Sequence, residues 1–163
     1  MKSTKKDIVQ LIEENKNLIF KVVNAYCYYP EEQEDLIQEI IINILKSYKR
    51  FDHGVKTTTW IYKVAFNVVI SYNRKIKTRE KYFVPLKEKF VHIHEENKIE
   101  DDENLKKLNH FIQQLKPLNK ALMIMYLDGK SHQEIAMVLG ISESNVGTKI
   151  NRVKKELKNK FKK

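Results

Sequence analysis

Residues 131–152 read SHQEIAMVLGISESNVGTKINR, and their punctuation decides the fold of the second half of the chain. Ser131 with Glu134 three positions later forms the pattern of a capping box, hydroxyl and carboxylate each meeting an exposed amide at a helix start. Ile135, Ala136, Val138 and Leu139 then give a helical apolar face, which Gly140 ends where a left-handed residue is cheap. Ser142 is placed to cap a second helix. Two short helices around a tight glycine corner make a helix-turn-helix, the unit that lays its second helix in the DNA major groove.

Charge patterning supports a polyanionic partner. The 163 residues carry a net charge of +10, unevenly spread. Residues 1–79 hold 14 basic and 9 acidic side chains, residues 80–103 hold 4 and 8, and residues 104–163 hold 13 and 4. An acidic segment thus separates two basic blocks. With 42% hydrophobic residues and only four glycines and three prolines, the composition favours an ordered helical protein over a disordered one. No apolar run reaches the length of a membrane span, and MKSTKKDIVQ lacks a signal peptide's hydrophobic stretch. The one cysteine, Cys27, lies in the apolar run VVNAYCYY and reads as a packed thiol in a reducing, cytoplasmic compartment.

Helical periodicity covers residues 4–79, broken near Asn15, at YYPEEQ and at FDHGVKTTT. It fails from Glu80 to Asp102, where a proline and an acidic cluster mark a linker. It resumes at ENLKKLNHFIQQL, and Pro117 opens a further helix at PLNKALMIMYLDG. The expectation is an all-α chain: a domain over 1–79, a flexible linker over 80–102, and a helix-turn-helix domain over 103–163.

In the first domain, QEDLIQEIIINILKSY turns Leu36, Ile37, Ile40, Ile41, Ile44 and Tyr48 toward the core. The opposite face collects Asp35, Gln38, Glu39, Ile42 and Lys46. A lone exposed isoleucine needs no explanation; set among these neighbours it equally fits the apolar centre of a docking patch with a charged rim. The segment TWIYKVAFNVVISYNRKIK turns Ile61, Val64, Ala65, Val68 and Tyr72 inward. Lys63, Asn67 and Arg74 fall near the other side, flanked by Trp60 and Ser71, and suit phosphate and base contacts. Trp60 reads as core or as a stacking platform. The loop RFDHGVKTTT reads as a receiver for an unstacked base or as a plain connector.

Together EDLIQE at 34–39, TWIYKVAFNVVISYNRK at 59–75 and LDGKSHQEIAMVLGISESNV at 127–146 resemble the bacterial sigma-70 family of RNA polymerase sigma factors, in the small two-domain extracytoplasmic-function (ECF) group. The resemblance covers nearly the whole chain. It implies that Asp35, Leu36, Gln38, Glu39 and Ile42 dock on the β′ clamp helices of core RNA polymerase, with Leu36 holding the helix in place. It implies that Trp60, Lys63, Asn67, Ser71 and Arg74, with the loop at 50–59, recognise and open the −10 element and capture the melted non-template strand. A tetrahelical, winged-helix-like second domain would read the −35 element as duplex, the linker would thread the polymerase near the RNA path, and core polymerase would be met through its β subunit as well as the β′ clamp helices. An anti-sigma factor becomes an expected partner, with localisation in the cytoplasm, nucleoid-associated when active.

The second helix of the corner keeps Val146, Ile150, Val153 and Leu157 as an inward stripe. Ser144, Thr148, Asn151, Arg152 and Lys155 face outward, with Asn145 and Lys149 at the flanks. Asn145, Thr148 and Arg152 are assigned to base reading because such helices contact bases mostly from their first turns. Lys149, Lys154 and Lys155 are assigned to phosphate. The family usually carries a basic residue where this chain has Gly147. A glycine there costs about 1 kcal/mol against alanine, and either admits close DNA approach or merely weakens the helix.

Other signals are set aside. His92 and His94 make an H-x-H pair, with His53, His110 and His132 scattered, and no second ligand pair stands at metal-site spacing. A phosphate-cradling glycine loop and a nucleophile–base–orienter set are both missing from the sequence. The expectation is therefore a non-enzyme without metal or cofactor, controlled from outside because the chain stops soon after its last helix. The competing reading is a dimeric helix-turn-helix regulator binding an operator unaided; a nucleic-acid-processing enzyme is a weaker third.

Overall fold

The computed structural model of the chain describes residues 5–27, 29–51, 54–82 and 103–162, the last three of the third stretch as backbone only. Every regular element among them is helical, and the chain forms two compact units.

The first unit is built on α1 (Lys5–Glu14), α2 (Lys16–Tyr26), α3 (Pro30–Ser47), a 3-10 turn at Tyr48–Arg50 and α4 (Thr57–Tyr82). The break at Asn15 has a local cause. Its side-chain amide donates to the Leu11 carbonyl at 2.8 Å, while its own carbonyl accepts from Ile19 and opens the next ladder. Pro30 starts α3 where a missing N–H is harmless, Glu31 and Glu32 sit at its positive end, and Lys46 lies in its last turn. The core gathers Ile19, Val22, Val23 and Tyr26 from α2, Leu36, Ile40 and Ile44 from α3, and Ile61, Tyr62, Ala65, Phe66 and Val69 from α4. On α3 this is a narrower stripe than the periodicity implies: Ile37, Ile41 and Tyr48 are only half-buried. On α4 it is wider, because α2 and α3 both pack on that helix and bury two of its flanks.

A polar tie fixes α4 against the start of α3. The Tyr72 hydroxyl donates to the Glu32 carboxylate, and Arg79 Nη2 lies 3.3 Å from Glu32 Oε1. Cys27 is buried beside them, its thiol donating to the Tyr29 carbonyl at 3.2 Å. Burial is the main cause pushing both the thiol and the phenol above their ordinary ranges, and for Tyr72 the bond to Glu32 adds to it.

The second unit contains α5 (Glu103–Gln114), α6 (Pro117–Leu127), α7 (His132–Leu139) and α8 (Glu143–Phe161). These four helices, with no strand among the described residues, match the tetrahelical expectation. α6 is its centre: Ala121, Leu122, Met123, Ile124 and Met125 are all buried, because neighbouring helices cover it from several sides. Lys120 is buried with them at 1% exposure, and that burial lowers its ammonium to about 8. Ile135 and Ala136 of α7 and Val146, Ile150 and Val153 of α8 complete the core, and Leu157 is half-buried.

At the ends of the chain's two units, the boundary residues differ slightly from the periodicity. α4 runs to Tyr82, three residues into the stretch read as linker, and α5 starts at Glu103. The rest of 80–102, with His92 and His94, lies outside the described residues, as does His53. No described helix is long and apolar enough to cross a membrane.

Candidate nucleic-acid interface

The corner at 131–142 forms through the hydrogen bonds its sequence encodes. The Glu134 N–H donates to Ser131 Oγ at 3.1 Å, and the Ser131 N–H donates back to Glu134 Oε2 at 2.8 Å. Gly140 takes φ 69°, and its N–H donates to the Ala136 carbonyl at 2.9 Å. The Asn145 N–H donates to Ser142 Oγ at 3.1 Å and starts α8. The two helices are therefore fixed from both sides of the turn, which sets how α8 is presented.

On α8 the side chains of Ser144, Asn145, Thr148, Arg152 and Lys155 are exposed, and Lys149 is half-buried. Thr148 Oγ1 donates to the Ser144 carbonyl at 3.0 Å, so its hydroxyl proton is engaged and its lone pairs and methyl face outward. Lys154 is placed differently from a free phosphate contact: its Nζ stands 4.6 Å from the centroid of the Tyr126 ring on α6. Lys160 likewise reaches the Phe111 ring at 5.0 Å and Gln114 Oε1 at 3.2 Å, tying the end of α8 to α5.

In the first unit, Lys63, Asn67, Ser71 and Arg74 form an exposed line along α4. Trp60 is half-buried and stacks on Phe51, with centroids 4.5 Å apart and planes at 24°; Tyr48 stands 6.2 Å from the same indole. The indole is thus engaged within the fold, joining the start of α4 to Phe51 and Tyr48. Residues 52 and 53 of that loop lie outside the described residues.

On α3, Asp35, Gln38, Glu39 and Ile42 are exposed, Ile42 at 48%, while Leu36 is buried at 3%. The structure adds Leu45, 45% exposed and one turn beyond Ile42. Its i, i+3 spacing from Ile42 is the signal in the sequence, and Leu45 belongs to neither face as read from periodicity. The docking and reading faces also adjoin. Glu39, Asn43, Lys46 and Arg50 line one wall of an open groove, and Asn67 and Ser71 line the other. Helical periodicity within single segments cannot show that juxtaposition, which comes from α3 packing on α4.

A helical unit with exposed polar and apolar faces, joined to a helix-turn-helix with a clear outer surface, defines a two-domain DNA-binding protein. Residues 11–79 match the family model for sigma-70 region 2, and residues 105–157 match that for sigma-70 region 4. The chain belongs to the sigma-70 family. Among curated relatives, the ECF RNA polymerase sigma factor SigX of Bacillus subtilis (strain 168) is 29% identical over 134 residues, 78% of this chain and 69% of that protein. Among solved structures, the sigma factor RpoE of Bartonella quintana, in complex with the anti-sigma factor NepR, aligns with TM-score 0.78 and 17% identity, covering 96% of this chain and 98% of that one. CnrH, in complex with the cytosolic domain of CnrY, aligns with TM-score 0.69 and 14% identity, over 98% of this chain and 90% of that one. Membership favours a sigma factor over the lone dimeric regulator, because region 2 is matched as well as the helix-turn-helix.

Proposed function

We propose that the chain is a dissociable promoter-specificity subunit whose two units work from one polymerase. Asp35, Gln38, Glu39 and Ile42 on α3, joined by Leu45, dock on the clamp of core RNA polymerase, with buried Leu36 holding the helix in register. Lys63, Asn67, Ser71 and Arg74 on α4 take the −10 strand. Trp60 serves as the rigid floor of the 50–59 loop rather than as a free platform, since Phe51 already covers one of its faces. Ser144, Asn145, Thr148 and Arg152 read the −35 duplex, with Lys149 and Lys155 on its phosphates.

The observation that carries this reading is the groove shared by α3 and α4. A protein held by the α3 patch presents the α4 stripe directly beside its anchor, so a strand separated at the polymerase surface meets Asn67 and Ser71 without further movement of the unit. Opening is driven by binding free energy for the unstacked strand. Each reader alone offers a small interface; holding both on one enzyme raises their effective concentrations. An anti-sigma factor is a fitting further partner, as RpoE was solved in complex with the anti-sigma factor NepR. The working compartment is the cytoplasm, at the nucleoid.

Reconstitution tests this. Core polymerase plus the purified chain should form a complex and initiate at particular promoters; a chain that binds a palindromic duplex unaided and ignores polymerase would overturn the proposal.

A further inference from the structure

Gly147 is not demanded by its own backbone. It lies within α8, its φ is outside the left-handed region, and a Cβ built there would meet only the His132 ring, with Cε1 at 3.7 Å and Nδ1 at 3.8 Å. Those are ordinary contact distances, so alanine would fit, while a longer side chain turned toward α7 would meet the imidazole. The glycine therefore keeps clear the space that His132 occupies. His132 is the first residue of α7, exposed, and follows the cap residue Ser131.

On the α8 wheel, position 147 lies between the buried stripe of Val146 and Ile150 and the outward residues Ser144, Thr148 and Asn151. It marks the edge of the reading face that adjoins α7. In helix-turn-helix proteins the first helix crosses the DNA backbone while the second enters the groove. A ring from the start of α7, resting on that edge, stands where the phosphates bordering the groove must pass. The carboxylate nearest in sequence, Glu134, is already held by the Ser131 N–H.

We propose that His132 is a further DNA-contacting residue, donating a ring N–H to a backbone phosphate beside the −35 element, and that the small residue at 147 leaves room to seat it. The proposal rests on the reading of α8 as the duplex reader. It assigns to α7 a contact that positions the unit without reading sequence.

The test uses holoenzyme assembled from core polymerase and the full chain, on promoters drawn from a randomised upstream library. His132→Ala should weaken promoter complexes about fivefold at raised salt, the loss of one net hydrogen bond, and leave upstream base preferences unchanged. His132→Lys should restore binding, which a purely structural role would not allow. Gly147→Leu, which displaces the ring, should match His132→Ala and add nothing to it in the double variant. Wild-type stability of His132→Ala complexes at every salt, a changed base preference, failure of lysine to rescue, or additive losses in the double variant would each overturn the proposal. Failure of the wild-type holoenzyme to initiate anywhere would instead overturn the reading of the chain as a sigma factor.

Discussion

Replacing Ile42 and Leu45 together by alanine should detach the protein from polymerase without unfolding it. The two side chains are 48% and 45% exposed, so about half of each remains to be buried by a partner. Full burial of such a side chain is worth roughly 1.5–3 kcal/mol, which leaves about 1 kcal/mol apiece for docking. The pair then contributes about 2 kcal/mol, or roughly 30-fold in Kd. The halves already covered by the fold are worth a similar amount, well within the stability of a small domain, and Leu36, Ile40 and Ile44 still fill the buried side of α3. Ile42→Asp should be more severe, because docking would strand a carboxylate in the apolar centre of the patch. Competition against a labelled sigma factor for core polymerase, read by fluorescence anisotropy, measures the loss directly, with circular dichroism as the folding control. Binding of the double variant within twofold of wild type would refute the assignment of this patch.

Burial of Lys120 predicts a pH dependence with a definite sign. Its ammonium ionises near 8 in the fold and near 10.5 when unfolded. Between those values the unfolded chain binds more protons, so stability contributed here rises with pH across that window by up to about 3 kcal/mol and is constant below it. Lys120→Met should accordingly melt higher than wild type at pH 7, with the difference shrinking toward pH 10; an advantage constant with pH would contradict this. Gly140→Ala should cost about 1–2 kcal/mol, the penalty of a left-handed residue with a Cβ. Its surroundings hold nothing within 4 Å of that Cβ, so the cost is backbone strain alone; an unchanged melting temperature would show that the corner relaxes. Arg152→Ala should weaken −35 discrimination at one position by roughly 1–3 kcal/mol if its contact is bidentate to a base. A uniform loss across all upstream sequences would move Arg152 to the phosphates.

Elements whose causes are local are legible in the amino-acid sequence. Ser131, Glu134, Gly140 and Ser142 are punctuation within single turns, and each makes the bond its residue type implies. Pro30, Pro117 and the amide of Asn15 likewise act on their own helices. Exposure of Asp35, Gln38, Glu39 and Ile42 on α3 and of Ser144, Asn145, Thr148, Arg152 and Lys155 on α8 follows from periodicity, because one buried stripe fixes the opposite face. What periodicity hides depends on residues distant in sequence. The Glu32–Tyr72–Arg79 tie spans 40 residues or more, the Phe51–Trp60 stack crosses a loop, and Lys154 meets Tyr126 from another helix. Lys120 is the clearest case. Lysine is a residue type rarely buried, and only the packing of several helices on α6 reveals this one as buried.

Transcription from a genomic promoter library by core polymerase, with and without the purified chain, tests the central claim most directly. RNA starting at a restricted set of promoters sharing two upstream elements, and only when the chain is added, is the predicted result. Identical start sites in both reactions would contradict it.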